Sequence, residues 1–215
     1  MTQSRRWALL EAFFRSQEKR RYKKGDVIIS ADQVPDGIYL IETGFVGAYS
    51  TTKYGEQNLL LLRGSGGIFP LIWAFTGETG QVSYETLEAT TLWVASRADY
   101  IEFLDRNPDI LPLILDMAIE AYRQHSQRVM TLSYRTARER LMSFLLNNAK
   151  RFGVTHRDGS ITINAPYRQS DIASSINATR ETTSRELNNL RKKGYIKIQE
   201  HKIILKNEKL LRGLL

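Results

Sequence analysis

The sequence predicts an α+β fold with an N-terminal antiparallel β-roll (jelly-roll), a long dimerisation α-helix and a C-terminal winged helix-turn-helix. Three observations predict it. Short β-like runs fill residues 22–95, apolar residues repeat at heptad spacing over 111–132, and two helical segments followed by a hairpin end the chain. The domain boundaries expected from these patterns are 1–107, 108–135 and 136–215.

The composition excludes several classes of protein. The chain has 215 residues, of which 25% are charged and 42% hydrophobic, so it is neither a disordered tail nor a membrane protein. No apolar run approaches the roughly 18 residues of a membrane span. The polar N-terminus lacks the pattern of an export signal, which favours the cytoplasm. The absence of cysteine excludes disulfides, thiolate zinc sites and cysteine-held iron–sulfur clusters.

The net charge of +8 is unevenly distributed. Residues 1–134 contain 14 Lys and Arg against 16 Asp and Glu, whereas residues 135–215 contain 17 against 7. This asymmetry is typical of a nucleic-acid-binding domain joined to a neutral one. The alternative is a basic surface that serves solubility alone.

The N-terminal third reads as a set of short strands. The runs "DVIIS", "GIYLIE", "GFVGAYS", "QNLLLL" and "TTLWVAS" have strand length, and "KYGEQ" (53–57) fits a tight hairpin turn. Their spacing indicates an antiparallel sandwich or barrel. The segment "RGSGG" (63–67) is not a phosphate-binding P-loop, because no Gly-Lys-Ser/Thr follows it.

A long helix is predicted after "RNPD" (106–109), where Pro108 can open it. One face carries apolar residues spaced by 4, 3, 4, 3, 4 and 3, which is the heptad pattern of a coiled coil. A second face with Ile110, Ile114, Met117 and Ala121 is expected to pack on the β domain. The alternative is an ordinary amphipathic helix buried in its own domain. The predicted dimer seam consists of Leu111, Leu115, Ala118, Tyr122, His125, Val129 and Leu132.

The segment "TRETTSRELNNLRKKG" (179–194) predicts a helix with two distinct faces. Thr179 is a plausible N-cap and Gly194 a plausible residue just past the end. Arginine matches the acceptors of guanine in the major groove and glutamate can accept from cytosine, so an exposed mixed face favours base reading. A solvated charge cluster is the alternative. The core face comprises Thr183, Leu187 and Leu190, and the base-reading face comprises Arg180, Glu181, Ser184, Arg185 and Asn188.

The preceding segment predicts a helix-turn-helix. "QSDIASSI" (169–176) has the length of a short helix, and Asn177 is a residue that tolerates the left-handed turn between two helices. The small Ala173 stands where the helices would approach each other. A strand, "SITINAP", and a hairpin, "YIKIQEHKIILK" (195–206), complete a winged helix.

The stretch "QSDIASSINATRETTSRELNNLRKKGYI" is similar to the helix-turn-helix signature of the CRP/FNR family of bacterial transcription regulators. The runs "YKKGDVII", "DGIYLIETGFV" and "YGEQNLLLL" resemble strands of its cyclic-nucleotide-binding β-roll, so the resemblance covers nearly the whole chain. It implies that Arg180, Glu181 and Arg185 read bases in half-sites with G·C pairs. It also implies phosphate contacts by Gln169, Ser170, Thr179, Thr182, His201 and Lys202.

Two positions depart from the family pattern. Asn177 replaces the usual turn glycine, which is a mild change. Arg168 stands where a Ser or Thr normally caps the first motif helix, so this end is expected to fray or to be capped by Ser170.

The effector implied by the resemblance is not cyclic AMP. Family members that bind it carry an arginine for the phosphate, but residues 66–89 contain none, and Val82 stands near the expected position. A buried phosphodiester would lack its cation. Haem is not expected either, because no histidine precedes residue 125. An uncharged or weakly polar metabolite is the remaining candidate, although these residues can equally be simple core. The candidate pocket consists of Phe69, Trp73, Phe75, Val82, Tyr84 and Tyr122.

The sequence therefore predicts a homodimeric regulator that binds a palindromic double-stranded DNA site and works with RNA polymerase. We expect no catalytic residues, no metal and no resident cofactor, since a metal-holding β-roll enzyme needs histidines on its strands. The alternative is a ligand-binding or protein-interaction module without specific DNA binding.

Overall fold

The computed structural model describes residues 2–134, 136–199 and 202–215. The chain divides into two compact units, Met1–His125 and Ser126–Leu215, and the division falls inside the long helix. None of the helices in the described ranges combines the length and apolarity that crossing a bilayer demands.

The first unit contains eight β-strands and flanking helices. The strands are β1 (Glu18–Tyr22), β2 (Val27–Ile29), β3 (Ile38–Thr43), β4 (Val46–Thr51), β5 (Gln57–Arg63), β6 (Ile68–Phe69), β7 (Ser83–Thr86) and β8 (Thr90–Ala95). The helices are α1 (Gln3–Arg15), α2 (Leu71–Thr76), α3 (Arg97–Arg106), a 3-10 turn (Pro108–Ile110) and the start of α4 (Leu111–Leu132).

The eight strands form two antiparallel sheets in the orders β1-β8-β3-β6 and β2-β7-β4-β5. In this order every pair of neighbouring strands except β4 and β5 is distant in sequence, as in a jelly-roll. The predicted N-terminal β-roll is therefore confirmed. Side chains from both sheets share one interior cluster: Ile29, Tyr39, Ile41, Val46, Phe69, Leu92 and Val94.

Strand β3 separates the two cores of this unit, because its alternate side chains point to opposite faces. Tyr39 and Ile41 enter the interior cluster between the sheets. Ile38 and Leu40 point to the outer face of the same sheet, where the helices cover them. The run "IYLI" is accordingly buried on both sides.

The outer cluster joins the helices to the sheet. It contains Leu10 and Phe14 of α1, and Tyr100 and Leu104 of α3. The start of the long helix belongs to it as well, through Ile110, Leu113 and Ile114, with Met117 packed against them. The expectation that a second apolar face of this helix packs on the β domain is thus confirmed for Ile110, Ile114 and Met117.

The described part of the second unit contains the end of α4, four shorter helices and a four-stranded sheet of order β11-β12-β10-β9. Buried apolar side chains come from both the helices and the sheet of this unit, for example Leu141 of α5, Leu187 of α7 and Leu205 of β12. The elements are α5 (Ala137–Phe152), β9 (Gly153–Thr155), β10 (Ile161–Ile163), α6 (Gln169–Ser175), α7 (Arg180–Lys192), β11 (Ile196–Gln199), β12 (Lys202–Leu205) and α8 (Glu208–Arg212).

The predicted winged helix-turn-helix is confirmed, with α6 and α7 as its two helices and β11 and β12 as its wing. The expected "QEHK" turn falls partly on residues 200 and 201, which lie outside the described residues. Helices α2, α3 and α8 are present although the sequence patterns did not predict them. Each is ten residues or fewer, too short for a helical period to stand out.

Candidate nucleic-acid interface

Helix α7 is defined at both ends by its own residues. The Thr179 side chain accepts a hydrogen bond from the Thr182 backbone N–H at 3.1 Å, as predicted for an N-cap. At the other end Gly194 has φ of +77°, the left-handed conformation that glycine adopts without strain. Its N–H donates to Arg191 O and that of Tyr195 to Leu190 O, both at 3.0 Å. These two bonds are a Schellman motif.

The two faces of α7 differ sharply in burial. Thr183, Leu187 and Leu190 are 0%, 3% and 1% exposed and face the core of the unit, as predicted. The Thr183 hydroxyl donates to Thr179 O at 2.9 Å, so the one polar member of this face is satisfied. Of the five predicted base-reading residues, Arg180, Glu181 and Arg185 are exposed, and Ser184 and Asn188 are partly buried.

Arg185 is available to a ligand outside the chain. Its side chain is 68% exposed, and its guanidinium Nε lies 3.7 Å from a carboxylate oxygen of the adjacent Glu186. Glu186 itself is 12% exposed and accepts from Arg138 Nε of α5 at 3.0 Å. The structure thus uses one carboxylate of α7 to anchor the helix and leaves Glu181 on the outer face. The sequence did not predict the anchoring pair, because its members lie 48 positions apart in the chain.

The turn between α6 and α7 has the predicted geometry. Asn177 adopts φ of +48°, the left-handed conformation. The Ala178 N–H donates to Ala173 O at 3.0 Å, which closes the end of α6 where the chain turns. Ala173 is 4% exposed, in keeping with a position that needs a small side chain.

The expected cap of α6 was wrong. Ser170 does not cap this helix; Asp171 does, since its carboxylate accepts from the Arg168 backbone N–H at 2.8 Å. The same oxygen accepts from Arg168 Nε at 3.3 Å. The Asp171 carboxylate thus satisfies the backbone N–H of Arg168, and its negative charge interacts favourably with the positive end of the helix dipole. The start of α6 is therefore hydrogen-bonded even though Arg168 stands in place of a Ser or Thr cap.

Two arginines bind the other end of α6, where its carbonyl groups lack partners within the helix. Arg140 of α5 donates through Nε to Ile176 O at 2.7 Å and through Nη2 to Asn177 O at 3.3 Å. Its Nη1 donates to Tyr134 O at 3.0 Å. Arg128 donates to Ser174 O at 3.2 Å, and burial lowers the pKa of its guanidinium. These side chains position the turn before α7, and no local sequence signal predicted them.

The residues predicted to contact phosphates differ in exposure, and their role stays a prediction. Gln169 and Thr179 are exposed at the starts of α6 and α7, and Lys202 is exposed at the start of β12. Ser170 and Thr182 are partly buried. The predicted contact His201 lies outside the described residues.

Family models match both parts of the chain. A Crp-like helix-turn-helix domain matches residues 139–214, and a cyclic nucleotide-binding domain matches residues 19–107. The order of these two domains is that expected from the resemblance. The chain belongs to the CRP/FNR family of bacterial transcription regulators.

Known members of the family resemble this CRP/FNR regulator along most of its length. The global nitrogen regulator of Synechococcus elongatus is 27% identical over 191 residues, which cover 87% of this chain and 85% of that protein. The nitrogen fixation regulation protein FixK of Azorhizobium caulinodans is 25% identical, covering 90% and 77%. The solved structure of FixK2 from Bradyrhizobium japonicum has the same fold, with a TM-score of 0.80, 23% identity, and coverage of 92% and 96%. The relatives are transcription regulators, and this regulator is not an enzyme.

The predicted seam residues of the regulator's long helix are all exposed in the single chain. Large apolar side chains dominate this face, whereas Ile110, Leu113 and Ile114 are buried. Ile119 and Met130 extend the exposed apolar surface. The exposed fractions in the predicted seam are 45% for Leu111, 59% for Leu115, 74% for Tyr122, 69% for Val129 and 39% for Leu132, and Ala118 and His125 are exposed as well.

The predicted effector-pocket residues of the β-roll fall into different places. Phe69 and Tyr84 stack in the interior cluster with ring centroids 4.8 Å apart. Trp73 belongs to the outer cluster, and Phe75 lies beside Tyr100 there. The sheet that contains Phe69 separates the two clusters.

Val82 and Tyr122 complete the predicted pocket set. Val82 is partly buried just before β7, and Tyr122 is 74% exposed on the long helix. Among the described residues no group of three His, Asp or Glu side chains is arranged to hold a metal ion.

Proposed function

We propose that this protein is a homodimeric regulator that recognises a palindromic DNA site through α7 of each subunit. The observation that carries the proposal is the pairing on α7 of a fully buried apolar face with an exposed Arg180, Glu181 and Arg185. A helix fixed in its domain with a free arginine-bearing face suits insertion into a major groove. The +10 charge of residues 135–215 supplies the sequence-independent attraction to phosphates.

The exposed apolar residues of the predicted dimer seam on the long helix support the homodimer. Their large apolar side chains have no covering surface in the single chain, and an apolar heptad face of this kind is stabilised when a second copy packs against it. Two copies related by a twofold axis would present two α7 helices to half-sites about one helical turn apart. The preferred site is therefore a palindrome, and G·C pairs are expected opposite the arginines.

Regulation follows from the architecture of the family. We expect a signal at the β-roll and the long helix to change the balance between arrangements that fit DNA and arrangements that do not. Cyclic AMP is not the expected signal, since Val82 offers no cation for its phosphate. A promoter-bound dimer would contact RNA polymerase, and its place of action is the cytoplasm.

The test of base reading compares two variants on two DNAs. After selection of a preferred site from random duplexes, Arg185→Ala should weaken binding to that site by about 1–3 kcal/mol and relax the base preference at one position. The matched control, Lys202→Met, should weaken binding to preferred and random duplexes alike, because a phosphate contact carries no sequence information. Equal losses for Arg185→Ala on both DNAs would refute the base-reading role. Failure of the unmodified protein to select any site would favour a module without specific DNA binding.

The test of the dimer uses sedimentation equilibrium. Val129→Asp places a charge in the predicted dimer seam and should convert the dimer to a monomer. The control Gln127→Asp adds the same charge to the same helix outside the seam and should leave the dimer intact. A monomeric unmodified protein at micromolar concentration would contradict the proposal.

A further inference from the structure

A cavity of about 130 Å³ lies between α5 and α7, within the second unit. It is lined from α5 by Arg138 and Met142, and from α7 by Asn189, Leu190 and Lys193. Residues four positions apart in a helix lie one turn apart on the same face, which holds for the pair on α5 and for Asn189 and Lys193 on α7. The cavity is therefore bounded by one face of each of two helices that pack against each other.

The residue after α7 and the last residues of the chain complete the lining. The backbone reverses at Gly194, and the Tyr195 N–H donates to Leu190 O at 3.0 Å, which holds Tyr195 beside the last turn of the helix. Tyr195 and Leu214 both line the cavity. Met142 and Leu190 are 2% and 1% exposed, whereas Leu214 is 44% exposed. The cavity thus has a buried apolar base and opens to solvent beside exposed side chains.

The polar side chains around the cavity have unused hydrogen-bond donors. Those of Asn189, Lys193 and Tyr195 make no hydrogen bond or ion pair within the ranges that the structure describes. Arg138 donates through Nε to Glu186 at 3.0 Å, and its two terminal nitrogens have no hydrogen-bond partner among the described residues. The Arg138 guanidinium therefore keeps a pair of parallel donors available to a ligand.

The charges around the cavity favour an anion. Its described lining contains two cations, Arg138 and Lys193, and no carboxylate. The nearby Glu186 is 12% exposed and is already paired with Arg138. The cavity adjoins the first turn of α5 and the last turn of α7, whose helix dipoles have opposite signs at these ends. The two cations therefore decide the sign of the local potential.

The size of the cavity suits a single ring, since an apolar cavity of about 150 Å³ holds one benzene molecule. We propose that this cavity binds a small aromatic carboxylate. The ring packs against Met142, Leu190 and Leu214, and the carboxylate binds Arg138 and Lys193. A planar carboxylate matches the two free nitrogens of the guanidinium with parallel hydrogen bonds.

The cavity lies on a different side of α7 from the predicted base-reading face. At 3.6 residues per turn, Asn189 and Lys193 lie about 110° and about 150° around the helix from the centre of that face. A duplex in contact with Arg180 and Arg185 would therefore leave the cavity open. The site goes beyond the proposed function, and binding to it does not require DNA.

Occupancy of the site should hold the end of α7 in place. Arg138 belongs to α5 and Lys193 directly follows α7, so a carboxylate bound by both joins the two helices. A ligand at ten times its Kd that binds only the closed state slows exchange through local opening about elevenfold. The amides at the end of α7 should show this effect, and those of α1 in the first unit should not.

The test uses the full chain without DNA and three probes. These are benzoate, its neutral counterpart benzamide, and acetate, which has the charge without the ring. In NMR titrations benzoate should shift the methyl resonances of Met142, Leu190 and Leu214. Benzamide and acetate should each bind about fivefold more weakly or worse, because one lacks the charge-assisted hydrogen bonds and the other the apolar contact.

Variants at exposed positions of the lining test each contact without disturbing the core. Lys193→Met should weaken benzoate about threefold and Lys193→Glu about tenfold, because the charge is first removed and then reversed. Leu214→Ala should weaken benzoate about threefold through lost apolar contact. The control Lys150→Met removes the same charge from an exposed position about 18 Å along α5 from Arg138 and should leave benzoate binding unchanged.

Several outcomes would overturn the inference. These are no shift of the three methyl resonances by benzoate, shifts confined to the first unit, equal binding of benzamide or acetate, and undiminished binding in Lys193→Glu. An equal loss in Lys150→Met would also overturn it, since it would show a general effect of charge. If a Lys193 variant does not fold, Arg138→Lys, which keeps a charge beside Glu186 without the parallel donors, should weaken benzoate about threefold.

The two proposals fail separately. Absence of benzoate binding with site-specific DNA binding intact would refute the carboxylate site alone. Failure of the Arg185→Ala test with benzoate binding intact would refute base reading alone.

Discussion

Replacement of Arg140 tests how the turn before α7 is held in place. Its guanidinium donates to the carbonyl groups of Ile176, Asn177 and Tyr134 at 2.7, 3.3 and 3.0 Å. A hydrogen bond from a charged donor contributes about 1.5–3 kcal/mol. The Ile176 bond is partly buried and is taken at the low end of this range. The two exposed bonds are discounted for solvent screening to a few tenths each. Arg140→Met should therefore lower the local stability by about 2 kcal/mol.

Hydrogen exchange of the turn is the suitable assay, because it reports the free energy of local opening. A loss of about 2 kcal/mol corresponds to roughly 30-fold faster exchange of the amides from residue 176 to 183. Arg140→Lys keeps a charge at the negative end of α6 and should recover part of the protection. Arg157→Met, an exposed arginine of the same unit, is the control and should leave these amides unchanged.

Two results would refute this reasoning. One is a change of less than about threefold in Arg140→Met, which would mean that solvent replaces the lost donors at little cost. The other is equally fast exchange in the Arg157→Met control, which would point to a general effect of charge. Site-specific DNA binding should weaken in Arg140→Met along with the protection, since α7 begins directly after this turn.

Three further predictions concern stability. Asn177→Ala should lower the free energy of unfolding by about 1 kcal/mol in thermal melts, because alanine is strained at positive φ, whereas Asn177→Gly should be nearly neutral. Thr179→Ala removes the N-cap and should cost about 1 kcal/mol; an unchanged melting temperature would contradict the cap. Burial alone would raise the pKa of Asp36, but hydrogen bonds from Tyr39 and Arg20 outweigh it and lower that pKa. The ionised Asp36 therefore stabilises the fold above its unfolded pKa of about 4, and this contribution is lost as the pH falls through the lower folded-state value. In Asp36→Asn the free energy of unfolding should fall less steeply as the pH is lowered below about 4. The same pH dependence in the variant and the unmodified protein would refute the role of Asp36.

The local chemistry of α7 could be predicted from the sequence. The positions of Thr179, Asn177 and Gly194 are set by backbone preferences that act within a few residues. The buried and exposed faces follow from a helical period that spans only three turns. The jelly-roll could be inferred from the spacing of its strands. The side chains of "IYLI" enter two different clusters because successive residues of a strand point to opposite faces of the sheet.

Contacts between distant segments could not be predicted in this way. The ion pair between Arg138 of α5 and Glu186 of α7 joins two helices that are separate in the sequence, and no local pattern indicated it. The six residues of the predicted pocket looked alike as apolar side chains. The sheet containing Phe69 places Trp73 in a different cluster, a separation that depends on which strands pair.

The sequence by itself determined the class of fold, the ends and faces of α7, and the excess of positive charge in residues 135–215. Only the tertiary structure decided that Arg140 holds the turn across 36 residues and that Arg138 of α5 pairs with Glu186 of α7. The physical reason is the range of the forces involved. Helical period, capping and turn conformation are fixed by neighbours in the chain, whereas hydrogen bonds between elements and the desolvation of a charge depend on what folding brings beside it.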